Sequence, residues 1–190
     1  YNVLEKVKSL CPAEKTKVFF LVGGNHIKDS RFDIAMPEYK KLVKDWQKAG
    51  FEIGLHPPYE TFKNRELLRQ QKDALTAFAG PIQISRQHYL RYALPTTFRN
   101  LIELGIKKEY SICPKSSVGL VTGISLPYLW YDLERNEPTT LEIVPSVAMD
   151  RALLTNLKLS PNEAIAVLKE TILKLKECHG RFVLILHNET

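Results

Sequence analysis

His56 stands at the end of an apolar run, Phe51-Glu52-Ile53-Gly54-Leu55-His56, and two prolines follow it at once. Pro57 and Pro58 bring no amide hydrogen and cannot extend a ladder. A strand over residues 51–55 must therefore stop there, with an imidazole at its C-terminal tip. Two more runs end in the same way. Ile82-Gln83-Ile84-Ser85-Arg86 delivers a guanidinium, with His88 two residues on, and Phe182-Val183-Leu184-Ile185-Leu186 delivers His187. An imidazole titrates near neutrality, so it can carry a proton or, when neutral, bind a metal ion. A guanidinium keeps its charge and can hold a carboxylate. One such residue alone is more simply a strand-end group making a local hydrogen bond. Three strands doing the same point to a shared site. His26 in the loop after Gly23-Gly24 is a further candidate for that rim, whereas His179 beside Gly180 suits the end of a helix.

These groups can meet only if their strands run parallel, with their tips on one edge of a sheet. The rest of the chain supplies that arrangement. Helical spacing marks residues 3–10, a helix opened by Pro37 and ending near Gln47, one from Asn64 to Phe78, one from Pro95 to Leu104, and one capped by Ser160-Pro161 that runs to Cys178. Between them lie apolar strand patterns at residues 17–22, 51–55, 82–86, 110–112, 141–145 and 182–186. No Asn-Gly or similar hairpin signal joins neighbouring strands, and residues 114–138 read as irregular. Alternating strand and helix predict a parallel α/β sheet, open or closed into a barrel, in one domain over residues 1–190.

The 190 residues carry a net charge of +6, but the basic residues alternate with acids at helical spacing, as in Glu38-Tyr39-Lys40-Lys41-Leu42-Val43-Lys44-Asp45. That is a solvated helix face, so nucleic acid is not the expected partner. Cys11, Cys113 and Cys178 lie far apart without a CxxC pattern and read as free thiols of a reducing compartment, the cytoplasm. No apolar run is long enough to span a bilayer.

In order along the chain, Lys17-Val-Phe-Phe-Leu-Val-Gly23, then Ala49-Gly-Phe-Glu-Ile-Gly-Leu-His56, then Arg86, Glu109-Tyr110-Ser111 and Val183-Leu-Ile-Leu-His187 resemble the polysaccharide deacetylases, the NodB-homology carbohydrate esterases. The wording is nearest to a bacterial subgroup with a His-Pro-x-Tyr second motif. It matches His56-Pro57-Pro58-Tyr59, Arg86 to Arg91, and Tyr131-Asp132-Leu133.

The resemblance implies a distorted parallel (β/α) barrel and a divalent metal, zinc by its ligands, at the strand tips. It also implies hydrolysis of an acetamide on a sugar of a surface polysaccharide, so the expected partner is a carbohydrate. By position, His187 is the general acid, Arg86 orients a carboxylate, and His56 is a metal ligand. The place of the second metal histidine holds Glu60. His88, on the same side as Arg86 if the extended backbone persists, offers itself instead. Arg91, Tyr110, Tyr131, Asp132 and Asp150 are the expected substrate contacts.

Two departures accompany these matches. The first motif, an Asp-Asp pair on the first strand, should precede Tyr1, as in a fragment lacking that strand. Val121 stands where the subgroup often has an arginine. The alternative reading is therefore a relative with the same fold that binds carbohydrate through Tyr89, Tyr110, Tyr128, Trp130 and Tyr131 but no longer hydrolyses it.

Overall fold

The computed structural model describes residues 3–29 and 33–188. Helix α1 (Val3–Leu10) precedes strand β1 (Lys17–Leu21), and α2 (Pro37–Lys48) leads to β2 (Glu52–His56). Helix α3 (Arg65–Ala79), β3 (Ile84–Ser85), α4 (Thr96–Glu103) and β4 (Lys108–Glu109) follow. Strands β5 (Tyr128–Asp132) and β6 (Glu137–Ile143) come next, then β7 (Ala148–Met149), α5 (Pro161–Glu177) and β8 (Leu184–Ile185). The helices begin where the sequence says they should. Pro37 opens α2, Asn64 caps α3 by accepting from Leu67 N, and Ser160 with Glu163 forms a capping box on α5.

The sheet runs β1-β2-β3-β4-β6-β5, and a second pair, β7-β8, lies beside it. Its pairings are parallel except the last, between β5 and β6. Backbone bonds carry the chain from one sheet to the other: Ser146 N donates to Ile112 O, and Val147 N to Val183 O. Among the described residues the sheet is open, and no closed barrel forms.

Residues 114–138 are more ordered than their composition suggested. β5 and β6 form an antiparallel hairpin whose turn places Asn136 at φ 53°, so Asn alone supplies the left-handed residue that an Asn-Gly pair would announce. Along β5, buried Trp130 and Asp132 alternate with exposed Leu129 and Tyr131. The strand expected at residues 110–112 is shorter and earlier, at Lys108–Glu109, because beyond it only single backbone bonds continue the pairing.

Strand alternation sorts the side chains into two faces. Phe20, Ile53 and Leu55 join Val43, Trp46, Leu68, Leu75, Phe98 and Leu101 in the core under the helices. The neighbours of these strand residues, Phe19, Gly54 and His56, therefore point to the opposite face. Gly54 is needed there: a Cβ would come within 2.4 Å of the Phe19 ring and 2.9 Å of the Ile84 side chain. Gly54→Ala must push Phe19 aside, and overpacking of this kind costs about 1–3 kcal/mol. Its urea midpoint should fall accordingly; an unchanged midpoint would mean that Phe19 moves at no cost.

Candidate functional site

The tips of β2, β3 and β8 and the segment after β7 converge on one rim. His56 Nδ1 lies 2.5 Å from the carbonyl oxygen of Arg86. A carbonyl can only accept, so Nδ1 carries the hydrogen and Nε2 is the unprotonated nitrogen. Burial first, then the positive field of Arg86 and the nearby His88 and His187, hold the His56 pKa well below its ordinary value. His56 is a neutral imidazole at physiological pH.

His88 packs against it, with ring centres 4.9 Å apart. The His88 Nδ1 atom lies 2.8 Å from Asp29 Oδ1. Asp29 is buried, and its carboxylate also accepts from Tyr59 N at 3.0 Å and His26 N at 3.3 Å. One carboxylate thus ties together the loop after β1, the loop after β2 and the turn after β3. Sequence reasoning passed over Asp29, because a lone aspartate in a loop carries no motif. The sequence marks that loop only by Gly23-Gly24; in the structure Gly24 stands at φ 122°, where a Cβ would come within 2.4 Å of Asp29 Oδ2.

His187 is held from two sides by Asp150, which follows β7. Asp150 Oδ1 lies 2.6 Å from His187 Nδ1, and Oδ2 accepts from the His187 backbone N at 2.5 Å. A buried carboxylate on Nδ1 fixes the tautomer and orientation of the ring. Asp150, read in sequence as a substrate contact, sits behind the histidine and orients it. Arg86 lies over the Phe19 ring at 4.8 Å, within the fields of Asp150 and Glu109. Among the described residues it makes no direct ion pair with either.

Beneath Arg86, Glu109 is fully buried and accepts from the hydroxyls of Ser85 and Ser111. Ser111 Oγ in turn accepts from Gln87 N at 2.7 Å. The network anchors the Arg86-Gln87-His88 segment from inside the protein. Burial pushes the Glu109 carboxyl up to about 7, although both hydroxyls pull the other way.

Not every expected site residue comes to the rim. Tyr131 and Asp132 lie opposite Pro138 and Glu137, at the start of β6 and so at the other edge of the sheet. Asp132 is bound there by Arg99 at 2.6 and 2.8 Å and caps the hairpin turn. Tyr110 packs on Phe19, 5.3 Å between ring centres, next to Arg86. Arg91 lies over the rings of Tyr59 and Phe62. Trp130 is core, and Tyr128 packs against the core.

Of the three expected metal ligands, His56 and His88 come together, while Glu60 is exposed on its loop. No group of three His, Cys, Asp or Glu able to hold a metal ion exists among the described residues. Two imidazoles fall short of the three protein ligands that a catalytic zinc site takes. Among the described residues, the donor set does not by itself complete a site for the expected metal. The three cysteines are free thiols, and Cys113 is buried. No helix of the described residues is long and apolar enough to cross a membrane.

A crystal structure from Mycobacterium smegmatis, described as a "putative polysaccharide deacetylase", superposes with a TM-score of 0.61 at 17% sequence identity. The two chains share a fold. The match covers 79% of this chain and 54% of that one, so this chain spans about half the length of that structure. No family model and no curated protein matches the sequence.

Proposed function

We propose that the chain is a deacetylase-like hydrolase domain that releases acetate from an N-acetylated sugar of a surface polysaccharide. Its open sheet is read as an incomplete (β/α) barrel. The observation that carries the reading is the Asp150–His187 pair on the same rim as Arg86 and the neutral His56, in a fold shared with a protein described as a deacetylase. His187, with Asp150 on Nδ1, serves as the general acid toward the leaving amine. Arg86 supplies fixed positive charge where a tetrahedral intermediate would gather negative charge. His56 and His88 face the same space, and the unprotonated Nε2 of His56 can accept a hydrogen bond from water or substrate. In the wider fold a divalent ion would polarise the acetamide, but the donors described here do not complete its site.

A second reading is a carbohydrate-binding relative with the same fold that has lost hydrolysis; its ground is Glu60, which stands in place of a second metal histidine and is exposed on its loop. One experiment separates the two. The protein is incubated with N-acetylglucosamine oligomers, with and without added zinc, and acetate release and bound metal are both measured. Acetate formation supports the hydrolase. About one ion per chain, lost in His56→Ala, would restore the metal-assisted form of the mechanism. Thermal protection by the oligomer without acetate would leave the binding relative.

A further inference from the structure

An aromatic and cationic ledge adjoins the rim on the side of His88. The Tyr59 ring stacks on His26 at 4.3 Å, and the Arg91 guanidinium lies 4.1 Å from its centre. Tyr89 stands edge-on to Tyr59 at 5.6 Å, and its ring centre is 4.8 Å from that of His88. The Lys28 ammonium bridges the two tyrosines, 4.8 Å from one ring and 5.0 Å from the other.

Backbone strain presents this ledge. Tyr89 and Leu90 adopt φ of 56° and 49°, the left-handed region that non-glycine residues seldom enter. Leu90 is the anchor: it is buried with Cys113, Met149, Ala152 and Ile185. The turn thus sinks Leu90 and leaves Tyr89 44% exposed beside the reactive groups. A strained turn that exposes an aromatic ring gains little from packing, and strain of this kind gathers at ligand clamps.

The charge of the ledge is one-sided. The Asp29 carboxylate is buried and engaged with His88, Tyr59 N and His26 N, and Glu60, next to Tyr59 in the loop after β2, is an exposed acid. Among the described residues, neither Lys28 nor Arg91 forms an ion pair with a carboxylate; Arg91 Nη1 instead donates to Tyr59 O at 3.3 Å. Cations lying over aromatic rings still have outward N–H groups to offer an anion.

We propose that this ledge is a subsite for an acidic sugar unit. The pyranose ring would lie on Tyr89, and its carboxylate or phosphate would meet Lys28 and Arg91. The proposal rests on the glycan reading above and names the substrate class as an anionic glycan.

Calorimetric titration tests it with a neutral tetramer of N-acetylglucosamine and a tetramer alternating N-acetylglucosamine with glucuronic acid. N-acetylglucosamine 6-phosphate, set against N-acetylglucosamine, forms the phosphate arm. The acidic member of at least one pair should bind about tenfold tighter at low salt, and the gap should close as salt is raised. The arm showing the larger gap identifies the anion. Lys28→Gln and Arg91→Gln should each weaken the acidic ligand about fivefold and leave the neutral one unchanged. Tyr89→Ala should weaken both ligands by about five- to tenfold. Lys28 is exposed, so Lys28→Glu carries the charge test even if Arg91→Gln disturbs the Tyr59 loop.

Equal binding of acidic and neutral ligands, no binding of any of them, or indifference to the Lys28 variants overturns the subsite. The outcomes stay separate from those of the hydrolase. Acidic preference without acetate release removes hydrolysis and keeps the subsite. Acetate release with no acidic preference does the reverse.

Discussion

His187→Ala should lose acetate release by about 10²–10⁴-fold, the contribution expected of a positioned general acid. The fold should survive, because His187 follows the last strand and is only half-buried. Its truncation removes one ring contact from Asp150 but leaves the bond from the residue 187 backbone N to Oδ2. Asp150→Asn is the sharper test of the arrangement. The amide's own N–H₂ group can turn the ring to the wrong tautomer. The variant should lose at least about tenfold in kcat. KM should hold, since Asp150 is buried and is bonded to the His187 ring and backbone N. Acetate release at the wild-type rate in His187→Ala would remove His187 from the chemistry. Loss of KM alone in Asp150→Asn would make Asp150 the substrate contact that its sequence position suggested.

The strand tips were legible because a chemical break coincides with a structural one. Apolar runs stopped by Pro57-Pro58, or followed at once by Arg86 or His187, can be read without coordinates, and parallel order then brings their ends together. The helices were legible for the same local reasons, a proline at the first turn of α2, a cap residue before α3, and both at α5. What stayed hidden depends on partners distant in sequence. Asp29 reaches His88 across 59 positions, and Asp150 reaches His187 across 37. Neither spacing is a motif. Tyr131 and Asp132 misled for a related reason. Their segment looked like part of the site, but an antiparallel strand runs the other way and carries them to the opposite edge of the sheet. With no Asn-Gly turn to announce the hairpin, its direction could not be read.

Glu109 should make the protein lose stability as pH rises from about 5 to 7. Burial raises its pKa from 4.5 to about 7, with the Ser111 and Ser85 hydroxyls opposing the shift. In that window the folded protein holds a proton that the unfolded carboxyl has already released. The folded state therefore binds more protons, and the free energy of unfolding falls as pH rises. Above about pH 7 both states are ionised and the loss is complete, at about 3 kcal/mol, since one pKa unit corresponds to about 1.4 kcal/mol. Glu109→Gln keeps the shape of the side chain, and each serine hydroxyl can turn to donate or accept, so the amide can be accommodated without a charge. Denaturant midpoints measured at pH 5 and at pH 8 should fall for the wild type and stay nearly level for the variant, which should overtake it at the higher pH. Parallel profiles would mean that Glu109 stays ionised across the range, its charge held by Arg86. In that case the anchor beneath the Arg86-Gln87-His88 segment is an ion pair acting at a distance, and Glu109→Gln should loosen His88 at every pH.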